Sequence, residues 1–244
     1  MATRVEHVMG MPIVVDVRDV DDAAALEPLF DWFRFVDRTF STYIRDSEIS
    51  RLNRGEIALS ETHPDVREVL TRCDELRGRT NGYFDVRAER DDYVDPSGLV
   101  KGWSVDRAAL IGDELGWRNY AINAGGDIRL RGGALPATVW RVGIQHPANR
   151  HDIAAVVLGD DLAVATSGAY VRGQHVFNPH TRRAPEGVLS VTITGPELAS
   201  ADAFATAAFA MGVDGPAWTA RVRDYEALTL MADGSSLRTS GFPN

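Results

Sequence analysis

The chain lacks the marks of a disulfide scaffold, a membrane protein or a nucleic-acid binder. A single cysteine, Cys73, in 244 residues excludes an internal disulfide framework. Cys73 falls on the apolar side of a helical pattern and reads as a core thiol, not a nucleophile. No apolar run approaches the roughly 20 residues that a membrane-spanning helix requires. Positive charge is in deficit: 26 Lys and Arg against 35 Asp and Glu leave a net charge of −9. That balance argues against nucleic acid as the main partner. A phosphate-bearing ligand would need local help, from a cation or from backbone amides. The residues Met1–His7 show no basic segment followed by an apolar one, so no export signal is visible. This points to the cytoplasm, although a trimmed chain would read the same way. Nucleophile-elbow, Walker A and dinucleotide-fold glycine motifs are missing, and the histidines have no zinc spacing.

What is present is an ordinary globular composition, 44% apolar and 25% charged. The length allows one large domain over 1–244, or two closely packed subdomains. Val8–Arg18 reads as a strand introduced by a Met-Gly-Met-Pro turn, and Asp21–Thr39 as a helix packed on it. A short helix is capped by Asp46 or Ser47 and ends at Gly55, and another helix spans Pro64–Arg77. Thr80–Val86 reads as a turn entering a strand, and His175–Thr181 as a strand that stops at Pro179. Further strands fall at Asn119–Leu130 with a Gly125-Gly126 bend, Val139–Gln145, Ile153–Leu158, Leu162–Thr166 and Val188–Thr194. A helix runs from Pro196 to Met211 with Gly212 as its stop, and a shorter one and a strand pair close the chain. Strands that follow one another without intervening helices predict an α+β fold with a largely antiparallel sheet.

Chemistry concentrates in a few places. Asp95–Asp106 is a polar turn delivering a helix, with Lys101 in its first turn, where the backbone dipole disfavours a cation. A lysine there is a candidate for meeting an anion, helped by free amides at the helix start; the alternative is a solvated surface lysine. Asp202 and Thr206 stand four apart in a run of small residues, on one helix face. Carboxylate and hydroxyl stacked this way suit Mg²⁺; the alternative is a carboxylate near a helix start with a threonine bonding back. Tyr43 is either a stacking surface or a rim tyrosine. His175 is the histidine to consider for acid–base work, a structural role being the alternative.

In order along the chain, these pieces resemble the ApbE family, the FAD:protein FMN transferases. The matching segments are Met9-Gly10, Ser41–Tyr43 with Asp46–Asn53, Gly82–Val86, Gly98 to Asp106, Asn123–Asp127, Ala165–Gly168, His175 to Thr181, and Ala201–Thr206. The resemblance implies a fold related to the T-fold, with FAD held as substrate in a central cleft and Mg²⁺ at its diphosphate. It implies transfer of FMN to a Thr or Ser hydroxyl of an acceptor flavoprotein, releasing AMP. By position, Asp202 and Thr206 would be metal ligands, with Gly98 and Ala205 adding backbone oxygens. Met9, Tyr43, Tyr83, Phe84, Asp85, Asp95, Lys101 and Val176 would be FAD contacts. His175 would help deprotonate the acceptor, and Asp202 would be catalytic through the metal. Charge neutralisation of the diphosphate by Mg²⁺, with Lys101 opposite, is what phosphoryl-group transfer needs.

The chain also departs from the family. Asn178–Arg182 replaces Asp-Pro-Arg-Thr-Gly, losing a carboxylate and a turn glycine, and the segment between Val86 and Asp95 is short, which would remove part of a cleft wall. A protein that binds or delivers FAD without turnover, or a pyrophosphatase giving FMN and AMP, stand as alternatives.

Overall fold

The computed structural model describes residues 1–87, 93–168 and 176–243. Eight strands form one sheet in the order β1 (Ala2–Val8), β2 (Met11–Val17), β3 (Tyr120–Ala124), β4 (Asp127–Arg131), β7 (Ala163–Gly168), β8 (Val188–Gly195), β9 (Glu226–Met231) and β10 (Ser236–Arg238). Every neighbouring pair is antiparallel. β5 (Trp140–His146) and β6 (Asn149–Gly159) pair separately as a hairpin. The α+β fold with a largely antiparallel sheet is the observed one.

Strand alternation sends side chains to opposite faces, and each face is covered differently. One face, with Ile13, Val15, Ile122, Ala165 and Val191, buries the main core against helices. These are α1 (Glu27–Phe40), α3 (Pro64–Arg79), α4 (Ser97–Glu114) and α5 (Leu198–Met211), with α2 (Glu48–Asn53) and α6 (Gly215–Thr219) at their margins. The other face, with Leu130, Val164, Leu228 and Leu230, packs against Trp140, Val142, Ile144 and Val157 of the hairpin. α5 is buried along nearly its whole length, which is why its sequence is small and apolar all round, with no amphipathic stripe.

Several expectations change. The strand expected over Val8–Arg18 is Met11–Val17, and the turn before it at Met9 and Gly10 joins it to a strand that was not expected, Ala2–Val8. Thr80–Val86 does not enter a strand. The hydroxyl of Thr80 accepts the amide of Phe84, and the amides of Gly82 and Tyr83 bond back to Arg77 and Thr80, so the segment is a folded turn. Of the strand expected at His175–Thr181, the residues from Val176 on form a turn closed by an isolated bridge between Asn178 and Arg183. Cys73 is a core thiol, pushed up to about 12 by burial.

Candidate active site

One end of the large sheet opens into a cleft of about 1250 Å³, larger than the roughly 300–1,000 Å³ of ordinary small-molecule sites. Two tight turns form part of its floor. Met9 and Gly10 join β1 to β2 at φ 57° and 71°, the positive values that a two-residue hairpin turn demands. Gly125 and Gly126 join β3 to β4, with the amide of Gly125 donating to the carbonyl of Pro12 at 3.2 Å. Met9 is thus held in a left-handed conformation that few side chains adopt, its sulfur 3.8 Å from the hydroxyl of Ser104 on α4.

The charged centre lies where β4, α4 and α5 meet. The ammonium of Lys101 is 2.5 Å from Oδ2 of Asp127 and 3.4 Å from Oδ1 of Asp202. Both carboxylates are nearly inaccessible, with side chains 3% and 5% exposed. Asp127 is fixed from behind, its Oδ1 accepting the amide of Thr166 at 2.9 Å. One helical turn beyond Asp202, the hydroxyl of Thr206 lies 3.2 Å from that of Ser167 on β7.

The remaining expected residues surround this centre. Tyr43 stands on the rim, 97% exposed. Tyr83, Phe84 and Asp85 line the cleft from one turn. Phe84 is buried against Gly98, and Tyr83 meets His180 edge to face at 4.6 Å. Asp85 accepts from the Arg77 guanidinium at 2.8 Å and from the amide of Arg87 at 2.9 Å, which holds the turn in place. Asp95, Gly98 and Val176 also line the cleft. Ala205 is fully buried within α5 and is not among the lining residues. His175 lies outside the described residues.

The structure changes three further details. Lys101 belongs to the second turn of α4, since that helix begins at Ser97, so its placement is set by the two carboxylates and not by the helix dipole. The helix start is largely occupied: the amide of Ser97 donates to Asp95, and those of Leu99 and Val100 donate to Pro96. The lysine also stands beside Asp202, not opposite it. At the short 86–95 segment, the amide of Asp95 bonds to Val86 and the side chain of Asn53 exchanges two hydrogen bonds with Val94. Both ends of that segment are pinned, and Tyr93 lines the cleft.

Sequence reasoning missed two contributors. Asp127 was legible only as the residue after a glycine bend, although an acid at a buried strand position calls for a cation. The stretch Val142–Gln145 of β5 also lines the cleft, a position that alternation alone could not give.

The donors suit a hard divalent cation. Among the described residues no three His, Cys, Asp or Glu side chains gather as a metal site. Mg²⁺ is instead commonly held by one or two carboxylates with water and substrate phosphates. Asp202 with the Thr206 hydroxyl, in a cleft open to a ligand, fits that pattern.

The model of the ApbE family matches residues 9–90 and 86–229. A FAD:protein FMN transferase of Vibrio cholerae is 35% identical over 130 residues, covering 49% of this chain and 39% of that protein. One of Salmonella typhimurium is 29% identical over 159 residues, covering 61% of this chain and 45% of that protein. The matched part therefore spans less than half the length of these relatives. The solved structure of the flavin transferase ApbE from Vibrio cholerae superposes with a TM-score of 0.87 at 25% identity, covering 99% of this chain and 97% of that one. On the extent of the family match and on this likeness of fold, the chain belongs to the ApbE family.

Proposed function

We propose that this chain is a flavin transferase that moves the FMN moiety of FAD onto a Thr or Ser hydroxyl of an acceptor flavoprotein, in a Mg²⁺-dependent reaction that releases AMP. The observation carrying this reading is the meeting of Lys101, Asp202 and Thr206 in one cleft of dinucleotide size. The relatives' name, FAD:protein FMN transferase, supports it.

In this reading Asp202 and Thr206, with the backbone of Gly98, hold Mg²⁺. When bound, the ion neutralises charge on the diphosphate oxygens. Lys101 offers a second positive charge to the same oxygens. Tyr43 stacks on a ring of the dinucleotide at the cleft mouth, while Met9, Phe84 and Val176 give it apolar walls. Tyr83, Asp85 and Asp95 complete its contacts. The acceptor hydroxyl attacks the phosphorus on the FMN side. The new oxygen–phosphorus bond forms as the bond to the AMP phosphate breaks, and the hydroxyl proton passes to a base. The family resemblance assigns that base to His175.

The test combines the protein, FAD, Mg²⁺ and an acceptor domain bearing a flavinylation Thr. A fluorescent acceptor band with stoichiometric AMP is expected. Free FMN and AMP without labelled acceptor would make the chain a pyrophosphatase, and bound but unchanged FAD would make it a carrier. Asp202→Ala should abolish turnover, and full activity in that variant would remove the metal assignment.

A further inference from the structure

The lysine in the cleft is shared unequally between two buried acids, and the inequality has a consequence for cation binding. Asp127 is the nearer partner at 2.5 Å and is anchored to β7 through Thr166. Asp202 is the farther partner at 3.4 Å and sits on α5 beside the Thr206 position. A divalent ion on Asp202 and Thr206 would stand within a few ångströms of the ammonium and repel it. The lysine must then leave Asp202, and without a second anchor its flexible stem would carry it out of the centre or leave it competing for Asp202.

We propose that Lys101 shares the cation position at Asp202 when no divalent ion is bound, and that Asp127 is the positioning residue that retains Lys101 when one binds. Asp127 thereby keeps the ammonium beside the diphosphate and clears Asp202 for the metal. The inference rests on the reading that Asp202 and Thr206 hold a divalent ion, and it gives Asp127 a role through Lys101, not as a ligand.

The test is Mn²⁺ binding to the full chain without nucleotide, followed by calorimetry and by the loss of the free-ion paramagnetic signal. Lys101→Met should tighten Mn²⁺ at least tenfold, because the tethered competitor is gone. Asp127→Asn should weaken it at least tenfold, because the ammonium settles on Asp202. The asparagine keeps a carbonyl oxygen for the Thr166 amide, and Lys101→Gln replaces the methionine variant should that one fail to fold. The deciding result is the double variant: Asp127→Asn should change affinity less than threefold in the Lys101→Met background. An equal loss in both backgrounds would show that Asp127 acts by its own charge or as a ligand, and would overturn the inference while leaving the metal reading intact. Failure of Lys101→Met to tighten binding would overturn it as well. Unchanged Mn²⁺ affinity in Asp202→Ala would remove the metal reading itself and this inference with it.

Discussion

Gly102 of α4 and Ala199 of α5 touch backbone to backbone: a β-carbon at 102 would stand 2.8 Å from the Ala199 α-carbon and 2.6 Å from the Leu198 carbonyl oxygen. No side chain lies between the two helices at this crossing. Lys101 is the neighbour of Gly102, and Asp202 lies three residues beyond Ala199, so this contact sets the spacing of the charged centre.

Gly102→Ala should therefore cost both stability and ligand binding. The obstructing atoms are backbone and cannot rotate away, so the destabilisation should reach about 3 kcal/mol, the upper part of the usual overpacking range. Thermal denaturation reads the stability, and FAD titration below the melting temperature reads the site. A variant as stable as wild type would mean that the helices can separate freely here.

Asp106 ties the same helices together. Its two oxygens accept the amides of Leu198 at 3.1 Å and Ala199 at 2.8 Å, capping α5, which has no side-chain cap of its own. Arg129 lies 3.6 Å away. Burial pushes the Asp106 carboxyl up from its ordinary 3.8 to about 6, against the two amides and Arg129, while nearby Glu197 adds to the rise. The folded protein thus keeps a proton here between pH 4 and 6 that the unfolded chain releases. This group's contribution is most favourable below that window and is lost as pH rises through it, by on the order of 3 kcal/mol. Asp106→Asn removes the titration. The stability difference between variant and wild type should shift toward the variant as pH rises from 4 to 7, and a difference that stays flat over that range would contradict the assignment.

The fold was legible where local pattern decides the outcome: the strands β7 to β9, the helices α3 to α5, the helix start at Ser47 and the helix stop at Gly212. The turn at Met9-Gly10 was legible, but β1 before it was not, because Arg4, Glu6 and His7 leave Ala2–Val8 without an apolar run. Thr80–Val86 has strand-like residues, but the Thr80 hydroxyl and the end of α3 claim its amides first. For the site, spacing on one helix was enough for Asp202 and Thr206. The partners of Lys101 were not readable, since Asp127 reaches it only through the antiparallel packing of β4 beside β7. The β5 lining depends similarly on which face of a hairpin meets the sheet.

Tyr43 separates binding from stability. At 97% exposure it contributes little to the fold, so Tyr43→Ala should leave the melting temperature within about 0.5 kcal/mol equivalent of wild type. Loss of a stacking surface of roughly 1–2 kcal/mol should weaken FAD about five- to thirtyfold, with Tyr43→Phe close to wild type. Fluorescence quenching of the flavin measures both, and unchanged affinity in Tyr43→Ala would take the tyrosine out of the site.

The Asn178 turn shows what the departure from the family pattern costs. Asn178 accepts the amides of His180 at 2.9 Å and Thr181 at 3.2 Å through its side-chain oxygen, the same service a carboxylate would give. Arg182 takes the left-handed position expected of a glycine, at φ 55°, while its amide bonds to the Asn178 carbonyl at 2.7 Å. The turn is thus intact, and it delivers His180 onto Tyr83 at the cleft. Asn178→Asp should change stability by less than about 0.5 kcal/mol, whereas Asn178→Ala should cost about 1 kcal/mol through the two abandoned amides. Because His180 holds Tyr83, the alanine variant should also weaken FAD, and the aspartate variant should not. Equal behaviour of the two variants in denaturation and FAD titration would show that the side-chain oxygen does not organise this turn.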